Sequence, residues 1–211
     1  MSLDFLTPGP DALARSPMER QALAAGAQFE QREGWNVAVR FDGTNAERAR
    51  CRETVGFADM SHLTKIEIQG TLPVDLDLGR ATRSNGAWWC PYTAERAIVI
   101  SDPSATGLDV TTAFAALAIA GPLARELFAR FTAIDLRPQV TPVRGFRPGS
   151  VARTPGAVLR EADDRFLMLF GSALGQYMWT VVADAAESLG GGPVGVDALD
   201  PLPEVLEAEH A

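Results

Sequence analysis

The chain has 211 residues, 46% of them hydrophobic, with 19 basic against 27 acidic side chains and a net charge of −8. That is core material for one large domain or two small, closely packed ones; mean hydropathy is +0.01, and no apolar run approaches the roughly 20 residues of a membrane-spanning helix. A surface of negative sign argues against nucleic acid as a partner, and two distant cysteines, Cys51 and Cys90, exclude a zinc or iron–sulfur framework and are expected as buried thiols. The opening residues have neither a basic flank nor an apolar signal block, so a cytoplasmic location with no membrane contact is expected.

In chain order, Ser16-Pro17-Met18-Glu19 reads as a capping box with proline at the first helical position, opening a short helix that Gly26 ends. Residues 35–41 alternate as a strand. Thr44-Asn45-Ala46-Glu47 reads as a second capping box, for a helix running to about Thr54 with Gly56 as its stop. A polar corner follows, with Asp59, Ser61, His62 and Lys65 in seven residues. Beyond it Ile66 and Ile68 alternate with Lys65, Glu67 and Gln69, the period of a half-buried strand, which puts Lys65 on the solvent face. Leu72, Leu76 and Leu78 suit a short helix or turn, and Asn85-Gly86 marks a tight turn. Trp88-Trp89 begins an apolar run that Pro91 interrupts. Residues 96–101 and 115–120 read as strands.

The segments 66–72 and 117–123 share the order strand, glycine, apolar-faced helix, which suggests two related halves. Residues 137–155, rich in proline and glycine, read as irregular connection. Residues 157–160 and 165–170 flank an acidic turn, Glu161 to Asp164, as a β-hairpin. Ser172 caps the clearest helix, with Leu174, Met178, Val181, Val182, Ala185 and Leu189 on one face and Gly190 as its stop. Val194 and Val196 suit one last strand, and residues 201–211 a frayed tail after a domain over 1–200.

No dinucleotide fingerprint, phosphate loop, nucleophile elbow or zinc helix motif occurs. His62 is the one histidine before His210, and it reads either as a corner residue bonded to backbone or as a ligand contact. Asp59 reads as a turn residue accepting backbone N–H bonds or as a base. Trp88 and Trp89 suit core or interface packing, or else a stacking platform. Arg160 and the Asp163–Asp164 turn most simply solubilise the hairpin. No catalytic or metal-binding residue stands out from spacing alone.

The order of these motifs resembles the glycine-cleavage T-protein (aminomethyltransferase) folate-binding superfamily. The resemblance is carried by the Gly34-Trp35 strand, by the run from Arg52 through Gly56-Phe57-Ala58-Asp59-Met60-Ser61-His62 and Lys65 to Gly70, by Gly121-Pro122 and by residues 195–200. It implies an α+β fold of two pseudo-symmetric, ferredoxin-like halves with mixed antiparallel sheets, and tetrahydrofolate as cofactor. By the resemblance Asp59, His62, Arg160, Glu161 and Asp163 are the candidate cofactor contacts. Yet residues 85–92 hold no carboxylate where that family keeps its catalytic acid, and the pterin-holding loop has shrunk to residues 160–165. The family's C-terminal barrel is not expected, because the chain ends near residue 200.

The latter half is similar to the small gamma subunit of heterotetrameric sarcosine oxidase, an accessory chain whose flavins, nicotinamide cofactor and folate belong to larger subunits. The expected function is therefore a non-catalytic subunit bound to larger flavoprotein chains of an amine-oxidising, one-carbon complex. The alternative is a minimal tetrahydrofolate-dependent aminomethyltransferase or demethylase. The first reading expects an exposed apolar surface around Trp88–Trp89 and the C-terminal segment.

Overall fold

The computed structural model describes residues 13–72 and 76–199, so the expected tail at 201–211 and His210 lie outside the described residues. The first half runs β1 (Ala14–Arg15), α1 (Glu19–Ala24), β2 (Gln28–Arg32), β3 (Trp35–Arg40), α2 (Thr44–Glu53), β4 (Gly56–Asp59), β5 (Lys65–Gln69), β6 (Thr82–Ser84), β7 (Ala87–Thr93) and β8 (Arg96–Ile100). It continues through β9 (Leu108–Asp109), β10 (Phe114–Ala120), α3 (Ala124–Phe128), β11 (Phe146–Val151), β12 (Thr154–Ala162), β13 (Arg165–Gly171), α4 (Gly175–Glu187) and β14 (Gly192–Pro193). The architecture is α+β with three sheets, ordered β11-β12-β13-β10-β4-β14, β6-β7-β8-β5-β9 and β1-β3-β2. No helix among the described residues is long and apolar enough to cross a membrane.

The six-stranded sheet is buried on both faces, which explains why β10 and β13 are near-continuous apolar runs. Phe57, Leu117, Ile119, Phe166 and Met168 face a helical layer that contributes Met18, Leu127, Phe128, Met178 and Val182. Trp179 closes that layer with its ring edge-on to Phe57, centroids 5.1 Å apart. The opposite face offers Ala116, Ala118, Leu167 and Leu169 to Trp88, Cys90, Ile98 and Ile100 of the five-stranded sheet. Helices, sheet and second sheet thus form three stacked layers.

Several local expectations are corrected. The helix at 16–19 begins only at Glu19: Ser16 Oγ accepts from Met18 N in a turn, and no side chain caps the helix. In α2 the N-cap is Gly43 rather than Thr44, although Glu47 does reach back to the Gly43 N–H as a capping glutamate does. Strand β7 runs through Pro91, because β6 pairs only as far as Trp89 and Pro91 therefore needs no donor on that edge. Residues 146–151, taken as loop, are the edge strand β11, where Pro148 is tolerated for the same reason.

Gly121 does link β10 to a helix. Its φ is +134°, and a Cβ there would stand 2.4 Å from Thr54 O. Between Gly70 and β6 the described residues form no helix; Leu78 and Gly79 lie in a turn, and residues 73–75 of that segment lie outside the described residues. The last expected strand is only Gly192–Pro193, parallel to β4, and residues 196–198 form a 3-10 turn. Cys90 is buried, and Cys51 is half-buried.

The alternation of β5 is as expected, but its faces are inverted. Lys65 lies opposite Ile100, which lies opposite Trp88, so Lys65 points between the two sheets and is 0% exposed. Ile66 and Ile68 line the outer face with Val99, Trp89 and Ala105. The expected exposure at the tryptophans is absent too: Trp88 is buried and Trp89 half-buried.

Candidate functional site

Strand β4 delivers Asp59 to the end of the six-stranded sheet, and the 60–64 corner carries the chain from that sheet into β5 of the other. Two sheets meeting there leave little water, so the polar groups of the corner must satisfy one another. Asp59 Oδ1 accepts the Ser61 N–H at 2.9 Å, a turn closed by the aspartate's own side chain. Ser61 Oγ accepts from Ala116 N of β10 at 3.2 Å. Lys65 Nζ donates to Ser61 O (2.9 Å) and Leu63 O (2.7 Å), and Lys65 N donates to Thr111 Oγ1 (2.9 Å).

Burial dominates the electrostatics. It pushes the Asp59 carboxyl above its usual range, against hydrogen bonds from Ser16 and Ser61 and the Lys65 charge. It lowers the Lys65 amine to about 8, against the pull of Asp59 and Asp109. His62 is lowered to about 4 by burial and by the Lys65 and Arg32 cations, so its ring is neutral at pH 7. The half-exposed ring makes no hydrogen bond with the described residues, so the backbone-bonded reading of His62 is not what the structure shows.

The acidic hairpin forms a second group. Glu161 Oε1 accepts from Trp88 Nε1 at 3.1 Å and Oε2 from Arg165 Nε at 3.0 Å, with burial holding its carboxyl above the usual range. The Arg160 guanidinium donates to the carbonyls of Thr141 (2.9 Å), Asp163 (2.9 Å) and Ala162 (3.3 Å), and its side chain is only 4% exposed. Arg160 is therefore an internal staple rather than a solubilising charge. Arg160 also pairs with the Asp163 carboxylate, donating to Oδ1 at 3.2 Å, although the Asp163 side chain is itself 90% exposed.

The two groups are not brought together. In register, the Gly56 end of β4 shares its row with Ala120, and Ala120 faces Arg165 beside the acidic turn. Asp59, at the other end, shares its row with Leu117, Met168 and Val158. The corner and the hairpin turn thus lie beyond opposite ends of β4. They are also separated by the width of three strands, about 14 Å at ordinary strand spacing. Among the described residues no three His, Cys, Asp or Glu side chains gather as a metal site.

No family model matches the chain. Against curated proteins it is 25% identical over 230 aligned residues to an aminomethyltransferase of Saccharopolyspora erythraea, covering 89% of this chain and 62% of that protein. Among solved structures, the glycine cleavage system aminomethyltransferase T from Bartonella henselae superposes with a TM-score of 0.73 at 17% identity, over 90% of this chain and 62% of that one. These likenesses support an aminomethyltransferase-like superfamily for the chain. A chain of the heterotetrameric sarcosine oxidase from Corynebacterium sp. U-96 superposes with a TM-score of 0.64 at 16% identity, over 86% of this chain and 99% of that one. The chain spans from 16% to 63% of the length of the curated aminomethyltransferases it matches.

Within this aminomethyltransferase-like scaffold, sequence reasoning missed the reach of one heavily bonded side chain, Glu47. It is 0% exposed. Its Oε1 accepts from the N–H groups of Phe41 (2.8 Å), Asp42 (3.0 Å) and Gly43 (2.9 Å), and its Oε2 from Gly195 N at 2.6 Å. The capping-box spacing pointed to the local bond. Nothing local pointed to Gly195, 148 residues away. That glycine is obligatory, since a Cβ would stand 2.0 Å from the Val39 carbonyl. Arg32 adds a bidentate pair to Asp197 on the same C-terminal segment (2.6 and 3.0 Å).

Proposed function

We propose that this chain is an accessory, gamma-type subunit that performs no chemistry of its own and binds larger flavoprotein chains of a sarcosine oxidase-like complex. The observation that carries this reading is the state of the expected cofactor contacts. Both Glu161 oxygens and the Arg160 guanidinium are already bonded internally, and Asp59 is tied into its own turn. A folate would have to displace those bonds in a buried setting, so the hairpin side chains do not fit a pterin clamp as they stand. The match that spans nearly the whole of one sarcosine oxidase chain supports the same reading. Flavin and nicotinamide would then reside in the partner chains.

A second reading, a minimal tetrahydrofolate-dependent aminomethyltransferase or demethylase, is favoured by one feature. His62 presents a neutral, half-exposed ring with no hydrogen bond to the described residues. Titration calorimetry of the isolated chain with tetrahydrofolate separates the two. Under the first reading no saturable heat is expected up to about 1 mM ligand, the weak end of specific binding. A saturable isotherm abolished by His62→Ala would transfer the assignment to the second.

A further inference from the structure

Charge is unevenly distributed along this acidic chain. Residues 122–160 carry seven arginines and two carboxylates, a net of +5, which leaves −13 on the remainder of a chain whose total is −8. The fold gathers most of that segment on one face. Ala152 N donates to Phe131 O, and Thr132 bridges Val151 at the edge of β11. The Arg147 guanidinium donates to Val140 O, and Tyr177 of α4 donates its hydroxyl to Ala152 O (3.1 Å). Arg130, Arg137 and Arg153 are exposed there, with Arg125, Arg144 and Arg147 half-exposed.

Arg137 is paired with Asp135. Arg125, Arg130, Arg144 and Arg153 make no ion pair with the described residues. The same face holds three of the exposed large apolar side chains, Val140, Val143 and Tyr177, and an open groove of ≈ 350 Å³ lined by Phe128, Ile134 and Leu136 between Arg125 and Arg137. Uncompensated guanidinium groups around apolar side chains are the composition of an interface rather than of a solvated charged surface.

We infer that this face, built by α3, the 129–145 connection and β11, is where the chain docks on an acidic surface of a larger partner polypeptide. The inference rests on the accessory-subunit reading and adds to it the site and the sign of the contact. Charge complementarity selects the occupant: a partner carboxylate patch meets the unpaired arginines, and an apolar side chain enters the groove. A chain this acidic overall repels a phosphate backbone at long range, which argues against nucleic acid on the same face.

The test is co-expression with the larger flavin-bearing chains from the same genome. The affinity of the purified complex is measured for the wild type, for Arg125→Glu/Arg130→Glu, and for an Arg20→Glu/Arg40→Glu control placed elsewhere. Arg125 and Arg130 have ordinary backbone and no internal pair, and a melting curve verifies that each variant folds. The expected result is a loss of at least about ten-fold in affinity for the first variant and little change for the control. Raising salt should weaken the wild-type complex more than the Arg125→Glu/Arg130→Glu complex. A complex indifferent to Arg125→Glu/Arg130→Glu would overturn the inference while leaving the accessory reading standing. A homodimer dispersed by that variant would reassign the face to a second copy of this chain. No complex with the wild-type chain would remove both.

Discussion

Replacing Glu47 by alanine is expected to remove about 4 kcal/mol of stability and to lower the melting temperature by about 10 °C. Four backbone N–H groups converge on this one buried carboxylate, and alanine leaves all four without their acceptor. Each charge-assisted bond contributes about 1.5–3 kcal/mol, and the losses do not add fully because the loop can relax toward water. The effect is also long-range. Glu47 ties the start of α2 to Gly195, so its loss should release the segment that reaches β4 through Gly192 N–Val55 O and Val194 N–Phe57 O. Glu47→Gln is expected to cost about half as much, because the amide keeps one acceptor oxygen and turns an N–H₂ toward Gly195 N. Urea unfolding followed by circular dichroism measures both; a Glu47→Ala loss below about 1 kcal/mol would mean that the clamp is ornamental.

The second large effect is expected at Lys65. Lys65→Ala should cost about 3 kcal/mol at pH 7, through a cavity between the sheets and two carbonyls, Ser61 O and Leu63 O, left without their donor. Lys65→Met fills the volume without restoring the donor, so it should recover the packing part alone. The pH dependence has a definite sign. The amine is lowered to about 8 in the folded chain from 10.5, so between those values the unfolded chain binds more protons. This group's contribution therefore favours folding as pH rises from 8 toward 10.5, and that gain is lost as pH falls through 8. Stability measured from pH 7.5 to 10 should show a rise in the wild type that both variants lack. Identical slopes in all three would place the lysine charge elsewhere.

Much of the fold was legible where hydrophobic period and length agreed. Strands β3, β10 and β13 and the body of helix α4 read directly because their apolar faces are long and uninterrupted, although Ser172 opens a 3-10 turn before α4 instead of capping it. The failures have specific causes. In β5 the period-two pattern is real, but period alone does not say which face is the interior; a corner that lets Lys65 bond its own carbonyls made the charged face the buried one. Pro91 and Pro148 lie on strands left unpaired on one side, a tertiary fact that local propensity does not contain.

For the site, the sequence pointed correctly to the 59–65 corner as a dense polar element. It could not show that β10 and β13 would lie between the strands of Asp59 and Glu161, or that Arg160 would spend most of its donors on carbonyls. Glu47 escaped because its decisive partner is the backbone of a distant glycine, which leaves no mark on spacing.

The central claim is that this aminomethyltransferase-like chain serves as a partner-bound accessory. Size-exclusion chromatography with light scattering, on the chain co-expressed with the larger flavin-bearing chains of its own genome, tests it most directly. The account predicts a single flavin-coloured peak containing this chain in fixed stoichiometry and stable to dilution. Elution of the chain alone at its own 22.6 kDa, with the flavin in a separate peak, would contradict it.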